Sequence, residues 1–114
     1  MSNKNYITGR AFEYRVKKYF ESKGYLTFRT AGSHGIADII VINNDKIELI
    51  QCKAINLTAK QRMKIFIKMS KEIDKYKNSK MSNVILSVLG LNNFKDFKKM
   101  GFLDINIHQI NTKV

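Results

Sequence analysis

Asp38, Gln51 and Lys53 are a carboxylate, an amide and an ammonium that a short stretch of chain brings near one another, with Glu13 on an earlier segment. Their types suit one reaction in particular. Metal-assisted cleavage of a phosphodiester needs one or two hard cations held by oxygen ligands, and a group that activates or positions water. Asp38 offers a carboxylate, Gln51 a side-chain amide oxygen and Cys52 its backbone carbonyl. Lys53 is placed to steady the attacking hydroxide or the charge of the phosphorane. Glu13 would bind a cation through water or complete a second cation site. Simpler readings stand beside this one: Lys53 and Asp38 as a structural ion pair, and Glu13 as a solvated helix residue.

Such residues need a scaffold, and the surrounding sequence predicts one. Residues 37–42 are too apolar for a surface loop and too short for a helix, which predicts a buried strand with Asp38 at its start. Asn43, Asn44 and Asp45 carry turn chemistry, and residues 46–54 return as the partner strand. Side chains alternate along a strand, so Gln51 and Lys53 share a face while Glu48 and Cys52 point the other way. Polar groups converging inside an apolar hairpin are costly unless a cation or an anionic ligand completes them. Just upstream, Gly32 and Gly35 bracket Ser33 and His34, where backbone freedom permits close approach to a ligand.

Before the hairpin, residues 6–23 read as a helix stopped by Gly24. Phe12, Val16, Tyr19 and Phe20 form one apolar arc on it, with Glu13 at the edge and Arg10, Lys17 and Glu21 further out. A short strand over 25–30 follows. Beyond the hairpin, Thr58 caps a helix through residue 77, with an apolar stripe of Phe66, Met69, Ile73 and Tyr76. Lys60, Lys64, Lys68, Lys71 and Lys75 form a separate stripe, either a solvated face or a track for phosphates. Residues 82–89 predict a buried strand that Gly90 breaks, and Asn92 is expected to cap a short helix through residue 100. Leu103, Ile105 and Ile107 then alternate with polar residues as a final edge strand, with His108 near its end. Helices interleaved with strands predict an α/β domain with a mixed sheet.

Composition bounds the partners. A chain of 114 residues with 44% hydrophobic content reads as a single globular domain with a modest core. Twenty-one basic residues against nine acidic ones leave a net charge of +12, which attracts polyanions, nucleic acid foremost. A chain rich in Lys, Asn, Ile, Tyr and Phe, and without Pro, also fits an AT-rich coding sequence, which would raise the charge without a partner. The single cysteine, Cys52, rules out an intrachain disulfide framework and a multi-cysteine zinc site. No apolar run approaches the ~20 residues of a membrane span, and the first residues carry no signal-peptide h-region. A cytoplasmic protein without a membrane partner is expected.

The order helix, three strands, helix, strand, with Asp38 and Gln51-Cys52-Lys53, resembles the PD-(D/E)xK nuclease superfamily. More narrowly, G-R-A-F-E-Y at 9–14 and G-Y-L-T-F-R-T-A-G-S-H-G-I-A-D at 24–38 resemble the archaeal-type Holliday junction resolvases of archaea and their viruses. The likeness covers residues 6–54 closely and the remainder only in element order. Its specific part is the R-x-A-G-S…D segment. The resemblance implies a restriction-endonuclease-like core, a mixed β-sheet flanked by helices. It puts Glu13, Asp38, Gln51 and Lys53 at the catalytic positions, and matches Arg29 and Ser33 to a functional strand-end arginine and loop serine. It implies Mg2+, with Mn2+ as a plausible substitute, on Asp38, Gln51, the Cys52 carbonyl and Glu13. DNA contacts are expected from Arg10, Arg29, His34, Lys60, Lys64 and Lys68. The partners it implies are a four-way DNA junction and a second copy of the chain, whose two sites nick symmetrically, with no small-molecule substrate.

Two positions depart from that pattern. The resolvases usually carry Glu where this chain has Gln51, and often Arg where it has Tyr14. Gln51 keeps an oxygen ligand but removes a negative charge, so metal affinity should fall. Glu48 is a poor substitute, because alternation puts it on the opposite face. Two other functions remain open: an Mrr-like or repair-type nuclease on other DNA, and a junction-binding protein with weak catalysis. The dimer contact is expected on apolar positions of the second helix or the final segment, with Phe66, Phe94 and Phe97 as candidates.

Overall fold

The apolar arc of the first helix sets the position of everything that follows. In the computed structural model, which describes residues 3–30, 35–76 and 83–100, this helix is α1 (Asn3–Ser22). Phe12, Val16 and Phe20 are fully buried along one side of it. At its end Gly24 takes φ 91°. The N–H groups of Gly24 and Tyr25 then donate to the carbonyls of Glu21 and Phe20, closing the helix in a Schellman turn.

Four strands form one mixed sheet: β1 (Leu26–Arg29), β2 (Ile39–Asn43), β3 (Lys46–Cys52) and β4 (Val84–Leu89). Their spatial order is β1-β2-β3-β4. The first two pairings are antiparallel and β3 pairs with β4 in parallel. Asn44 makes the β2–β3 turn at φ 56°, a left-handed conformation that asparagine tolerates. A parallel pairing requires a long crossover, and α2 (Ala59–Ile73) provides it. Its start is the predicted one. The Thr58 hydroxyl accepts from the Gln61 N–H, and the Gln61 side chain accepts from the Thr58 N–H, a complete capping box.

Burial alternates along β3, which divides the apolar residues into two layers. Ile39, Val41, Ile50 and Cys52 pack with Phe12, Val16 and Phe20 of α1 and with Phe94 and Phe97. On the opposite face Leu86 and Val88 pack with Leu57, Phe66 and Met69, and with the half-buried Leu49. The helix α3 (Leu91–Met100) folds back against α1. Phe66, Phe94 and Phe97 are therefore core residues, 6%, 4% and 2% exposed, and not the dimer contacts expected of them.

Other boundaries differ from expectation for local reasons. The second helix stops at Ile73, and Tyr76 lies outside the stripe, 55% exposed. Asn92 does not cap α3. The cap position is Gly90, whose N–H donates to the Asn93 side chain while its carbonyl accepts from Phe94. Gly90 is also required for space: a Cβ there would meet the Ile55 carbonyl oxygen and the Leu57 side chain at 2.7 Å. The predicted strand around Leu103–Ile107, with His108, lies outside the described residues, as do Ser33 and His34. Among the described residues no helix is long and apolar enough to cross a membrane.

Candidate functional site

Strand register assembles the site at one end of the sheet. Arg29 pairs with Ile39 and Ile39 with Ile50, so the ends of β1 and β3 flank the start of β2. Asp38 sits one residue before β2, its N–H donating to the Ile50 carbonyl at 2.8 Å and its carbonyl accepting from Thr30 at 2.9 Å. The backbone of Asp38 is thereby held from both sides. Its carboxylate oxygen Oδ2 accepts the Cys52 backbone N–H at 2.8 Å and the Gln51 Nε2 at 3.2 Å. On a strand the N–H and C=O of one residue leave the same edge. The Cys52 carbonyl therefore shares the Asp38 side of β3. The thiol does not take part: it is buried with the α1 layer. Burial, then the charges of Asp38 and Glu13, hold it well above its ordinary pKa, so it stays protonated.

Glu13 reaches the same end of the sheet from α1. Its Oε1 accepts the Arg29 Nε at 2.9 Å, and the Arg29 guanidinium carbon lies 4.9 Å from the Tyr14 ring centroid. Arg29 is thus committed to a carboxylate and an aromatic face, with its side chain only 15% exposed. The expected DNA contact did not include this partnership. Burial raises the Glu13 pKa first, the Asp38 charge raises it further, and Arg29 opposes both. Two carboxylates that sense each other's charge make this a place where added positive charge is favourable. The solvated reading of Glu13 does not hold.

Gln51 and Lys53 open on the other face, as alternation requires, into a cleft of about 360 Å³ between β3 and α2. Lys68, Met69 and Glu72 of α2 line its far wall. Among the described residues no ion pair joins Lys53 to Asp38, so that simpler reading is set aside. Lys60, Lys64 and Lys68 are exposed on α2, and Arg10 is exposed on α1. Lys75, at the end of the stripe, pairs with Glu72 at 2.6 Å.

Two structural contributors carried no signal of this role in the sequence, where Asn92 reads only as a helix cap. Asn92 holds the chain just after Lys53: its side chain accepts the Leu57 N–H and donates to the Leu57 carbonyl, each at 2.8 Å. Glu72 enters the cleft wall from a helix read only for its lysines and apolar stripe. Only tertiary packing brings either residue to the site.

Glu48 lies where alternation puts it, away from the cleft and 2% exposed. Its Oε2 accepts from the Asn43 amide at 3.3 Å, and its Oε1 has no partner among the described residues. Burial pushes its pKa up to about 7. It cannot replace the charge that Gln51 lacks.

The donors that converge are the carboxylates of Asp38 and Glu13, the Gln51 amide and the Cys52 carbonyl. All are hard oxygens, and Mg2+ characteristically takes one or two carboxylates and retains several waters. No group of three or more His, Cys, Asp or Glu gathers among the described residues. The hard-oxygen donors of this set are of the kind Mg2+ takes. In comparisons with known proteins, no family model and no curated protein matches the chain.

Proposed function

We propose that the chain is a metal-dependent endonuclease with a PD-(D/E)xK core, acting on branched DNA and foremost on four-way junctions. The observation that carries this reading is the convergence of Asp38, Gln51 and the Cys52 backbone at one sheet end, with Lys53 beside Gln51 and Glu13 within charge range. The order of elements and the β1-β2-β3-β4 sheet with its parallel last pair support it as well. So does the net charge of +12.

Mg2+ would be held by Asp38, the Gln51 oxygen, the Cys52 carbonyl and Glu13, directly or through water. When bound, the cation supplies Lewis acidity and a more acidic water. Each residue of the chain then has a task. The Gln51 amide donates to Asp38 as it stands, and a half-turn of the same amide presents its oxygen instead. Lys53 carries its ammonium at the cleft mouth, where it orients hydroxide and offsets the charge that builds on the phosphorane. Arg29, held against Tyr14, favours the ionised form of Glu13 and so opposes burial and the Asp38 charge, which favour the protonated one.

Symmetric cutting of a junction needs two sites, and a two-fold dimer is the commonest solution. With Phe66, Phe94 and Phe97 committed to the core, the contact falls to exposed apolar residues such as Leu26 and Phe28 on one face of the edge strand β1. A second reading has one observation in its favour. An amide donating to Asp38 satisfies that carboxylate without a cation, as a junction-binding protein with weak catalysis would require. Incubation of an end-labelled four-way junction and a linear duplex with Mg2+ separates the readings. Paired nicks on the junction support the resolvase. Cutting of both substrates supports a general nuclease, and binding without cutting supports the second reading.

A further inference from the structure

We propose that the seam between α1 and α3 is a second duplex-binding surface, which holds another arm of the branched DNA. It rests on the reading of the chain as a junction-binding protein and assigns a partner to residues that reading does not use. Along the seam Phe12, Tyr19 and Phe94 meet edge to face, each pair of neighbouring centroids 5.6 Å apart. Three cations lie over these rings. The Arg15 guanidinium carbon is 5.4 Å from the Phe12 centroid, Lys23 Nζ is 5.6 Å from that of Tyr19, and Lys98 Nζ is 4.6 Å from that of Phe94.

None of the three has a carboxylate partner among the described residues. On α1 the nearby Glu21 is already paired with Lys17 at 2.6 Å. A cation over a ring keeps its N–H donors for another acceptor, and its side chain is partly ordered beforehand. Less rotamer entropy is then lost when it meets a phosphate oxygen. Long basic side chains commonly lie over apolar surface merely to keep their charge in water, and that is the outcome the test must separate.

Position makes the seam distinct from the α2 lysines. Neighbouring residues of β3 face opposite layers: Ile50 packs under α1 and α3, whereas Leu49 packs under α2. The seam and the lysine stripe are therefore on opposite sides of the sheet. A straight duplex lies along one such side. A branched substrate offers a second duplex to the other, with the Asp38 end of the sheet between them.

The test measures affinity by fluorescence anisotropy over a range of salt, for a four-way junction and for a short linear duplex, in EDTA so that no cleavage occurs. The variant carries Arg15→Gln, Lys23→Gln and Lys98→Gln. Each neutralised phosphate contributes about 0.9 to the salt slope, so the junction slope should fall by about 2–3 units while the duplex slope falls by less than about one. The charge-retaining set Arg15→Lys, Lys23→Arg and Lys98→Arg should keep the wild-type slope. Should the triple variant not fold, Lys98→Gln alone should lower the junction slope by about one unit. An unchanged junction slope in folded protein overturns the proposal, and so does an equal fall on both substrates. Wild-type protein that shows the predicted slopes yet never cuts with Mg2+ would remove the nuclease reading and leave this surface standing.

Discussion

Asp38 and Glu48 are carboxylates of one β-hairpin, and the hairpin treats them in opposite ways. Asp38, at a strand end, accepts a backbone N–H at 2.8 Å and an amide at 3.2 Å, beside a cleft and a second carboxylate. Glu48, mid-strand, points into the α1 layer with one oxygen unpartnered among the described residues and a pKa raised to about 7. Carboxylate chemistry follows surroundings more than residue type. The strand end supplies donors, neighbouring charge and open space, whereas in the strand middle desolvation outweighs the Asn43 hydrogen bond and the Lys46 charge. Neutralising the two carboxylates should therefore have unlike consequences, and the residues around each sharpen that contrast.

The largest effect short of Asp38 itself is expected at Lys53. Lys53→Ala should slow single-turnover cleavage by about 100-fold or more, the scale of losing one group that stabilises developing charge. Magnesium affinity measured by calorimetry should barely change. A loss of magnesium affinity equal to the loss of rate would instead make Lys53 part of the metal's setting.

At Glu48 the effect is on stability. A carboxyl group whose folded pKa lies above its unfolded value destabilises the fold as pH rises from the unfolded value through the folded one. For a shift from 4.5 to about 7 the cost approaches about 3 kcal/mol above pH 8 and vanishes near pH 4. Glu48→Gln should recover most of it, seen as a urea midpoint that rises at pH 8.5 and is unchanged at pH 4. A gain of equal size at both pH values would show that protonation is not its source.

Gln51→Glu restores a full charge next to Asp38. The magnesium concentration that half-saturates cleavage should fall by about tenfold, the change given by about 1.4 kcal/mol of added attraction. The maximal rate stays the same if Lys53 keeps its place, and falls if the new carboxylate draws Lys53 away. An unchanged magnesium dependence would take Gln51 out of the ligand set. The smallest effect is expected at Arg29. Arg29→Gln removes the hydrogen bond and the charge that lower the Glu13 pKa. Where cleavage needs Glu13 ionised, the acid limb of its pH–rate profile should move to higher pH. An acid limb that stays in place would leave Arg29 a purely structural role.

Much of this contrast was legible in the sequence, because it depends on a period of two. Alternation from Glu48 to Lys53 assigns each side chain its face without reference to the rest of the fold. Gly24 and Thr58 were equally local signals, and the helix ends formed there. What stayed hidden was the choice of partner across long separations. Arg29 meets Glu13 across 16 residues, and Asn92 meets Leu57 across 35. An arginine at a strand end reads equally well as a DNA contact and as a counter-ion until the helix is laid over it. Phe94 and Phe97 were misplaced for the same reason. Their helical spacing shows an apolar face but not that the face meets α1.

The most direct measurement compares Asp38→Asn with Glu48→Gln on one end-labelled four-way junction at saturating Mg2+, with binding measured in parallel. Each variant neutralises one carboxylate of the same hairpin with nearly no change of shape. Asp38→Asn should lose cleavage by about 100-fold or more while still binding the junction, and Glu48→Gln should cut within about twofold of wild type. Full cleavage by folded Asp38→Asn protein, or equal loss in both variants, would contradict the site.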